Sequence, residues 1–468
     1  MAADLMVDQI SGFLGQIGAA FPAPTAPAGA VEVVGVGSLP SLFAVTPLAV
    51  ASMAAAGLAV AELVGLGDPR VRVDRRLASL WFGGSIQPVG WAMPGIWDAL
   101  AGDYRGADGW IRLHTNAPHH RVAALRVLGC AGDGAALRSA AEAAVATWRI
   151  EALEQAIVEA GGCAAAMRSC AVWDAHPQGA AVAGEPLVWF EPQPARDDGA
   201  WQPEPKRPLA GLRVLDLTRV LAGPIATRFL AGFGADVLRI DPLDWDEPAI
   251  VPEVTLGKRC ARLDLRRAAD RAVFEDLLAG ADVLVHGYRP GALDGLGYGA
   301  AMRQTLRPGL VDVTLDAYGW SGPWAQRRGF DSLVQMSAGI ADAGMIWRRA
   351  ERPVPLPVQA LDHATGYLMA AAAVRGLMGR LAGRGGATIR LSLARTARLL
   401  VDAGIVPQDE AFAVMADADL MPMIEPTDWG PARRCASPVM IEGAPMAWPY
   451  PAGRLGRSAP GWLPREGG

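Results

Sequence analysis

Asp362 carries the clearest chemical signal in the chain. It follows the extended stretch PVPLPVQAL and precedes an alanine-rich helical run, which reads as a helix N-cap. Free backbone N–H groups and the positive end of a helix dipole stabilise a carboxylate at such a place and keep it ionised near neutral pH. A carboxylate held there can attack an activated carbonyl and divide one hard exchange into easier covalent steps. Position alone favours the plainer role of helix cap. Developing oxyanions need backbone donors. Gly83 and Gly84 in FGGSIQP are the candidates for that work, with an ordinary turn as the competing reading. His363 adjoins Asp362, but neighbours at a helix start point in different directions, so it reads as a packing or surface histidine.

Other reactive side chains give weaker patterns. His114, His119 and His120 in HTNAPHH suggest a metal site, yet no acidic or thiol ligand follows at helical spacing, and none is expected. Cys130, Cys163, Cys170, Cys260 and Cys435 include no CxxC pair. That spacing argues against a disulfide framework and for a reducing cytoplasm. Neither GxGxxG nor a Walker loop occurs, so dinucleotide or ATP binding has no motif support.

The elements that must position Asp362 form an α/β rhythm. LRVLDLT (Leu212 to Thr218) reads as a buried strand, ATRFLAGFG as a helix closed by glycine, and ADVLRID, ADVLVHGY and GLVDVTLDAYG as further strands. Apolar runs alternating with helices imply βαβ units and a parallel, Rossmann-like sheet. The expected organisation is a small-domain half over 1–190, an exposed Pro-rich linker over 191–208, the parallel lobe over 209–402, and an irregular closing segment over 403–468. ELVGLGDPRVRVD (Glu62 to Asp74) aligns without gaps on RLAGRGGATIRLS (Arg380 to Ser392), a weak internal repeat that places the counterpart of Asp362 near Ala44.

Bulk properties fit a globular protein. Of 468 residues, 51% are hydrophobic and 19% charged, and the formal net charge is −5 with no block of like charges. Such a balance argues against nucleic acid or a membrane surface as the main partner. The apolar run Leu42 to Ala61 has the length of a membrane span, but it is mostly Ala and Gly, holds Pro47 and ends at Glu62. It is expected to be a buried helix.

Several motifs in succession carry a family resemblance. PLAGLRVLDLTRVLAGPIATRFLAGFGADVLRID, GKRCARLDL, ADVLVHGYRPGALDGLGYG, YGWSGPWAQRRGFDSLVQMSAG and LPVQALDHATGYLMAAAAVRGLM resemble the family III CoA-transferases. The first half (ADGWIRLHTN, LEQAIVEAGGCAAAM, AHPQGAA) resembles the later portion of the same family, so the halves stand in an unusual order. The resemblance implies an α/β fold and CoA transfer between an acyl-CoA and a carboxylic acid acceptor. The thioester is then a substrate, no cofactor is required, and a homodimer is expected. It gives Asp362 the place of the family's nucleophilic aspartate. It also implies CoA contacts at Val220, Leu221, Leu263, Arg266, Tyr288, Arg289 and Arg328. Pro242 and Gly295 stand where basic residues are frequent. Phe330 replaces the histidine of the racemase branch and cannot move a proton, which disfavours racemisation. The alternatives are a racemase or isomerase using another base, and a catalytically silent CoA-binding protein.

Overall fold

The computed structural model describes residues 2–22, 28–65, 70–194 and 201–464. The chain opens with α1 (Ala2–Ala19), β1 (Val31–Val34), β2 (Ser41–Phe43), α2 (Val45–Leu63), β3 (Val71–Asp74), α3 (Arg75–Gly83) and β4 (Ile86–Pro88). A small lobe follows, with β5 (Gly102–Arg105), β6 (Trp110–Leu113), α4 (Pro118–Leu128), α5 (Gly134–Ala146), α6 (Ile150–Glu159) and β7 (Ala164–Ala166). Its three strands pair antiparallel in the order β5-β6-β7 around a core of its own that includes Leu113, Leu137 and Leu153. Helices α7 (Cys170–Ala175) and α8 (Pro177–Ala183) then lead to β8 (Trp189–Pro192).

The large lobe is the expected alternation. It runs β9 (Arg213–Leu217), α9 (Ala222–Gly232), β10 (Asp236–Asp241), α10 (Val251–Val254), β11 (Arg259–Arg262), α11 (Ala268–Ala279) and β12 (Val283–His286). Next come α12 (Ala292–Gly295), α13 (Ala300–Leu306), β13 (Val311–Asp316), α14 (Asp331–Ser337), α15 (Ile340–Arg348), α16 (Ala360–Leu381), β14 (Ala387–Ser392) and α17 (Leu393–Asp402). The seven-stranded sheet has the order β11-β10-β9-β12-β13-β14-β8, parallel except for β8 at one edge. The strands are near-continuous apolar runs because helices cover the sheet. Val283, Leu284 and Val285 of β12 are all buried.

Two parts differ from the sequence expectation. The linker contributes Glu191 and Pro192 to β8, and the Trp201 indole donates to the Ala210 carbonyl at 2.8 Å, while residues 195–200 lie outside the described residues. The closing segment is not irregular throughout. It holds β15 (Ile405–Gln408), β16 (Leu420–Thr427), β17 (Gly430–Cys435) and β18 (Val439–Ile441), which pair with β2, with each other and β4, and with β3. Pro and Gly obscured these strands because they break the period-2 pattern, although edge strands tolerate both.

Elements α1 to α3 share the core of the large lobe, not that of the small one. Helix α2 packs on α16 more extensively than any other two described elements pack. Both are alanine-rich, and small side chains let two helices approach closely. Helix α2 is long and apolar enough to cross a membrane, and almost all of its residues are buried inside this fold. The weak repeat has a structural counterpart. Units α2–β3–α3 and α16–β14–α17 share one plan, and Asp74 and Ser392 each cap the helix that follows. Strand β3 lies between parallel β1 and antiparallel β18, as β14 lies between parallel β13 and antiparallel β8. Helix α1 packs on α2 as α9 packs on α16.

Candidate functional site

The sheet order makes a crevice. Connections run outward in opposite directions from the β9/β12 pair, so their carboxyl ends open at the switch point where open α/β sheets bind ligands. The chain leaving β9 turns into α9 through Arg219, Val220 and Leu221. Val220 has φ +62°, a left-handed conformation costly for a β-branched residue, and such strain clusters at ligand sites. Its N–H donates to Glu247 Oε1 at 2.7 Å, while Arg239 donates to the other oxygen of Glu247 at 2.9 Å and pairs with Asp241. This buried network holds the turn. After β12, Tyr288 faces the same turn. Arg219 donates to its hydroxyl at 3.1 Å and lies over the rings of Trp245 and Tyr288. Arg289 follows, exposed.

Val220, Leu221, Tyr288 and Arg289 therefore meet at one crevice. Leu263 and Arg266 lie beyond the end of β11, two strands along the same edge. Leu263 is buried, and Arg266 is exposed and pairs with Asp264 at 2.7 Å. Arg328 sits in the loop before α14 and donates to the Gly161 carbonyl of the small lobe at 3.2 Å.

Asp362 lies deeper. Gln359 occupies the N-cap of α16, so Asp362 is the third residue of that helix and not its cap. The cap comes from Asp331 at the start of α14. Its Oδ2 accepts the N–H of Leu361 at 2.8 Å and of Asp362 at 2.9 Å. Gln335 donates to Asp331 Oδ1 and accepts the Leu356 N–H at 2.7 Å, which ties the preceding extended stretch to α14. The Asp362 carboxyl instead lies within electrostatic reach of the backbone N–H of Ala222, the first residue of α9. Gly366 permits that approach, since a Cβ there would stand 2.4 Å from the Ala222 carbonyl oxygen.

Electrostatics correct the expectation of an ionised Asp362. Burial pushes its carboxyl well above the usual range, the Asp331 charge raises it further, and the Ala222 amide only partly opposes this. Burial also raises Asp331, to about 6, against the amides that it accepts. Two coupled buried carboxyls disfavour the doubly ionised state, so both are pushed upward.

The small lobe closes over this pair. Glu154 joins Arg168 at 2.7 Å and Arg327 at 2.9 Å, a buried ion cluster that fixes the loop before α14. Phe330 stacks on His114 with ring centroids 3.7 Å apart, and His120 meets its edge. Burial keeps both imidazoles neutral, His114 near 3 and His120 near 4. His119 stands within electrostatic reach of Arg328 and Arg219, where the lobes meet the crevice. His363 is buried and stacks on Phe82.

Gly83 and Gly84 form the end of α3, in keeping with an ordinary turn and not with oxyanion donors. Gly84 closes α3 and its N–H donates to the Leu80 carbonyl, while the next two amides, Ser85 and Ile86, both donate to Glu253. Glu253 is in turn held by Arg228 and Arg434, so these amides are occupied.

A family model for CoA-transferase family III matches residues 209–421. An acetyl-coenzyme A transferase of Hypoxylon pulicicidum is 34% identical over 202 residues, covering 42% of this chain and 33% of that protein. An acyl-CoA transferase of Gibberella moniliformis is 30% identical over 298 residues, covering 59% of this chain and 52% of that protein. The chain thus spans about a third to a half of the length of these curated relatives. Among solved structures, a hypothetical protein from Mycobacterium tuberculosis aligns at 29% identity with a TM-score of 0.37, over 41% of this chain and 56% of the other.

Proposed function

We propose that the chain moves CoA between an acyl-CoA thioester and a carboxylic acid, with Asp362 as the covalent nucleophile, a reading supported by the match of residues 209–421 to the CoA-transferase family III model. One observation carries the reading. Asp362 lies one turn before Gly366, where α16 meets Ala222 at the start of α9, the helix whose preceding turn forms the switch-point crevice. Val220, Leu221, Tyr288 and Arg289 would line the CoA arm there, Leu263 and Arg266 its nucleotide end, and Arg328 the mouth beneath the small lobe.

In the forward step a carboxyl oxygen of Asp362 bonds to the acyl carbon, the C–S bond breaks, and the Asp362 proton leaves with the CoA thiol. The thiol then attacks the aspartyl carbonyl, giving an aspartyl thioester and releasing the first acid. An acceptor acid attacks that thioester and expels the CoA thiol, which takes up the new acyl group and restores the protonated Asp362 carboxyl. Splitting the exchange this way replaces one difficult transfer by several easier ones. The thioester is substrate, and no further cofactor enters.

Exchange of CoA among acyl-CoAs and carboxylic acids, followed by mass spectrometry, tests the reading. Hydroxylamine should trap an activated Asp362 as its hydroxamate during turnover. No exchange and no hydroxamate, with CoA still bound, would leave the second reading, a silent CoA-binding protein. The occupied amides after Gly83 and Gly84 favour that second reading. Homodimerisation and a cytoplasmic location belong to the same proposal, and mass in solution and fractionation of the source cell measure them.

A further inference from the structure

We propose that Asp331 is the positioning residue for Asp362: it occupies two amides at the start of α16 and so leaves the Asp362 carboxyl to face α9 instead. This rests on the transferase reading of Asp362 and deepens it. A helix start ordinarily offers its amides to a first-turn carboxylate and favours the ionised form. Here both amides serve Asp331 Oδ2, at 2.8 and 2.9 Å, one of them the N–H of Asp362 itself. The Asp331 carboxylate is fully enclosed, and Gln335 fixes its other oxygen.

The remaining surroundings offer little compensation. From α9 the pair meets the Ala222 amide, a donor without net charge. From the small lobe Arg112 of β6 faces Asp331, but it is also bound to Asp103 at 2.9 Å. On α16 itself His363 faces Phe82, Arg228 and Glu253. Two buried carboxyls with no cation dedicated to them among the described residues favour a state that keeps one proton. That proton has a use in the proposed step, because it can leave with the CoA thiol and spare the site a buried thiolate. Direct contact with substrate belongs to Asp362, and Asp331 acts through it.

Isotope-edited infrared spectroscopy of the full chain tests this without requiring turnover. Wild-type protein at neutral pH should show a buried protonated-carboxyl band that Asp362→Asn removes. Asp331→Asn should move the titration midpoint of that band down by about one pH unit or more, as expected on losing a close like charge. Asp331→Ser keeps an oxygen acceptor for the cap without the charge. It should give the same shift where the asparagine variant fails to fold. A wild type without the band, or an unshifted midpoint in the folded Asp331 variants, overturns the proposal. A shifted band with no hydroxamate at Asp362 removes the transferase reading and keeps the coupling. A hydroxamate with an unshifted band does the reverse.

Discussion

Gly366 gives the most direct test of how Asp362 is held. A Cβ added there would lie 2.4 Å from the Ala222 carbonyl oxygen and 3.0 Å from two carbons of Ile225. The first neighbour is backbone and cannot rotate away. Restoring ordinary contact at 3.4 Å would require α16 and α9 to separate by about 1.0 Å. Overpacking of that kind costs about 1–3 kcal/mol. A rigid backbone neighbour places Gly366→Ala near the top of the range, and alanine's better helix propensity returns about 1 kcal/mol. The expected net loss is about 2 kcal/mol. Gly379 is the internal control, in the same helix with nothing closer than 3.9 Å to its added Cβ. There alanine should gain about 1 kcal/mol. Urea unfolding of both variants, compared through midpoints at constant m, reads the difference. The same displacement pulls the Ala222 amide from Asp362, so CoA exchange should fall with stability in Gly366→Ala alone. Two equally stabilising substitutions would show that α9 does not contact α16 at Gly366.

Three further outcomes follow from the same geometry. CoA should raise the melting temperature, as any ligand that binds only the folded state does. Arg289→Ala should shrink that rise, and no shift at millimolar CoA would refute the crevice assignment. Asp362→Asn should stabilise the protein relative to wild type by more at about pH 8 than at about pH 4. The sign follows from the raised carboxyl: the folded state binds more protons than the unfolded one between the ordinary and the raised value. Wild-type stability therefore falls as pH rises through that window, and urea midpoints across pH would reveal a flat difference if Asp362 were ionised throughout. With Phe330 stacked on a neutral His114, the α-proton of a 2-methylacyl-CoA should not exchange for deuterium above background, and rapid wash-in would favour racemisation.

What was legible in the sequence was what neighbours in the chain decide. Strands β9, β10, β12 and β13 stood out because each is a short apolar run closed by a turn, and burial on both faces demands that pattern. The turns at Val220 and Tyr288, which the family resemblance assigns to CoA, lie after two of those strands. The charge of Asp362 was not legible, and the reason is spatial. A local reading grants its carboxylate the free amides of α16, whereas a residue 31 positions earlier takes them. The same distance hid the cap. One local trace of it existed. Gln359 occupies the cap position, and glutamine is not among the residues that favour it. A long helix that starts after an extended stretch, without Ser, Thr, Asp or Asn at its cap, must obtain an acceptor elsewhere or leave buried amides unpaired. The acidic residue that opens α14 supplies it, and the amides that a local reading gives to Asp362 are thereby spent on Asp331.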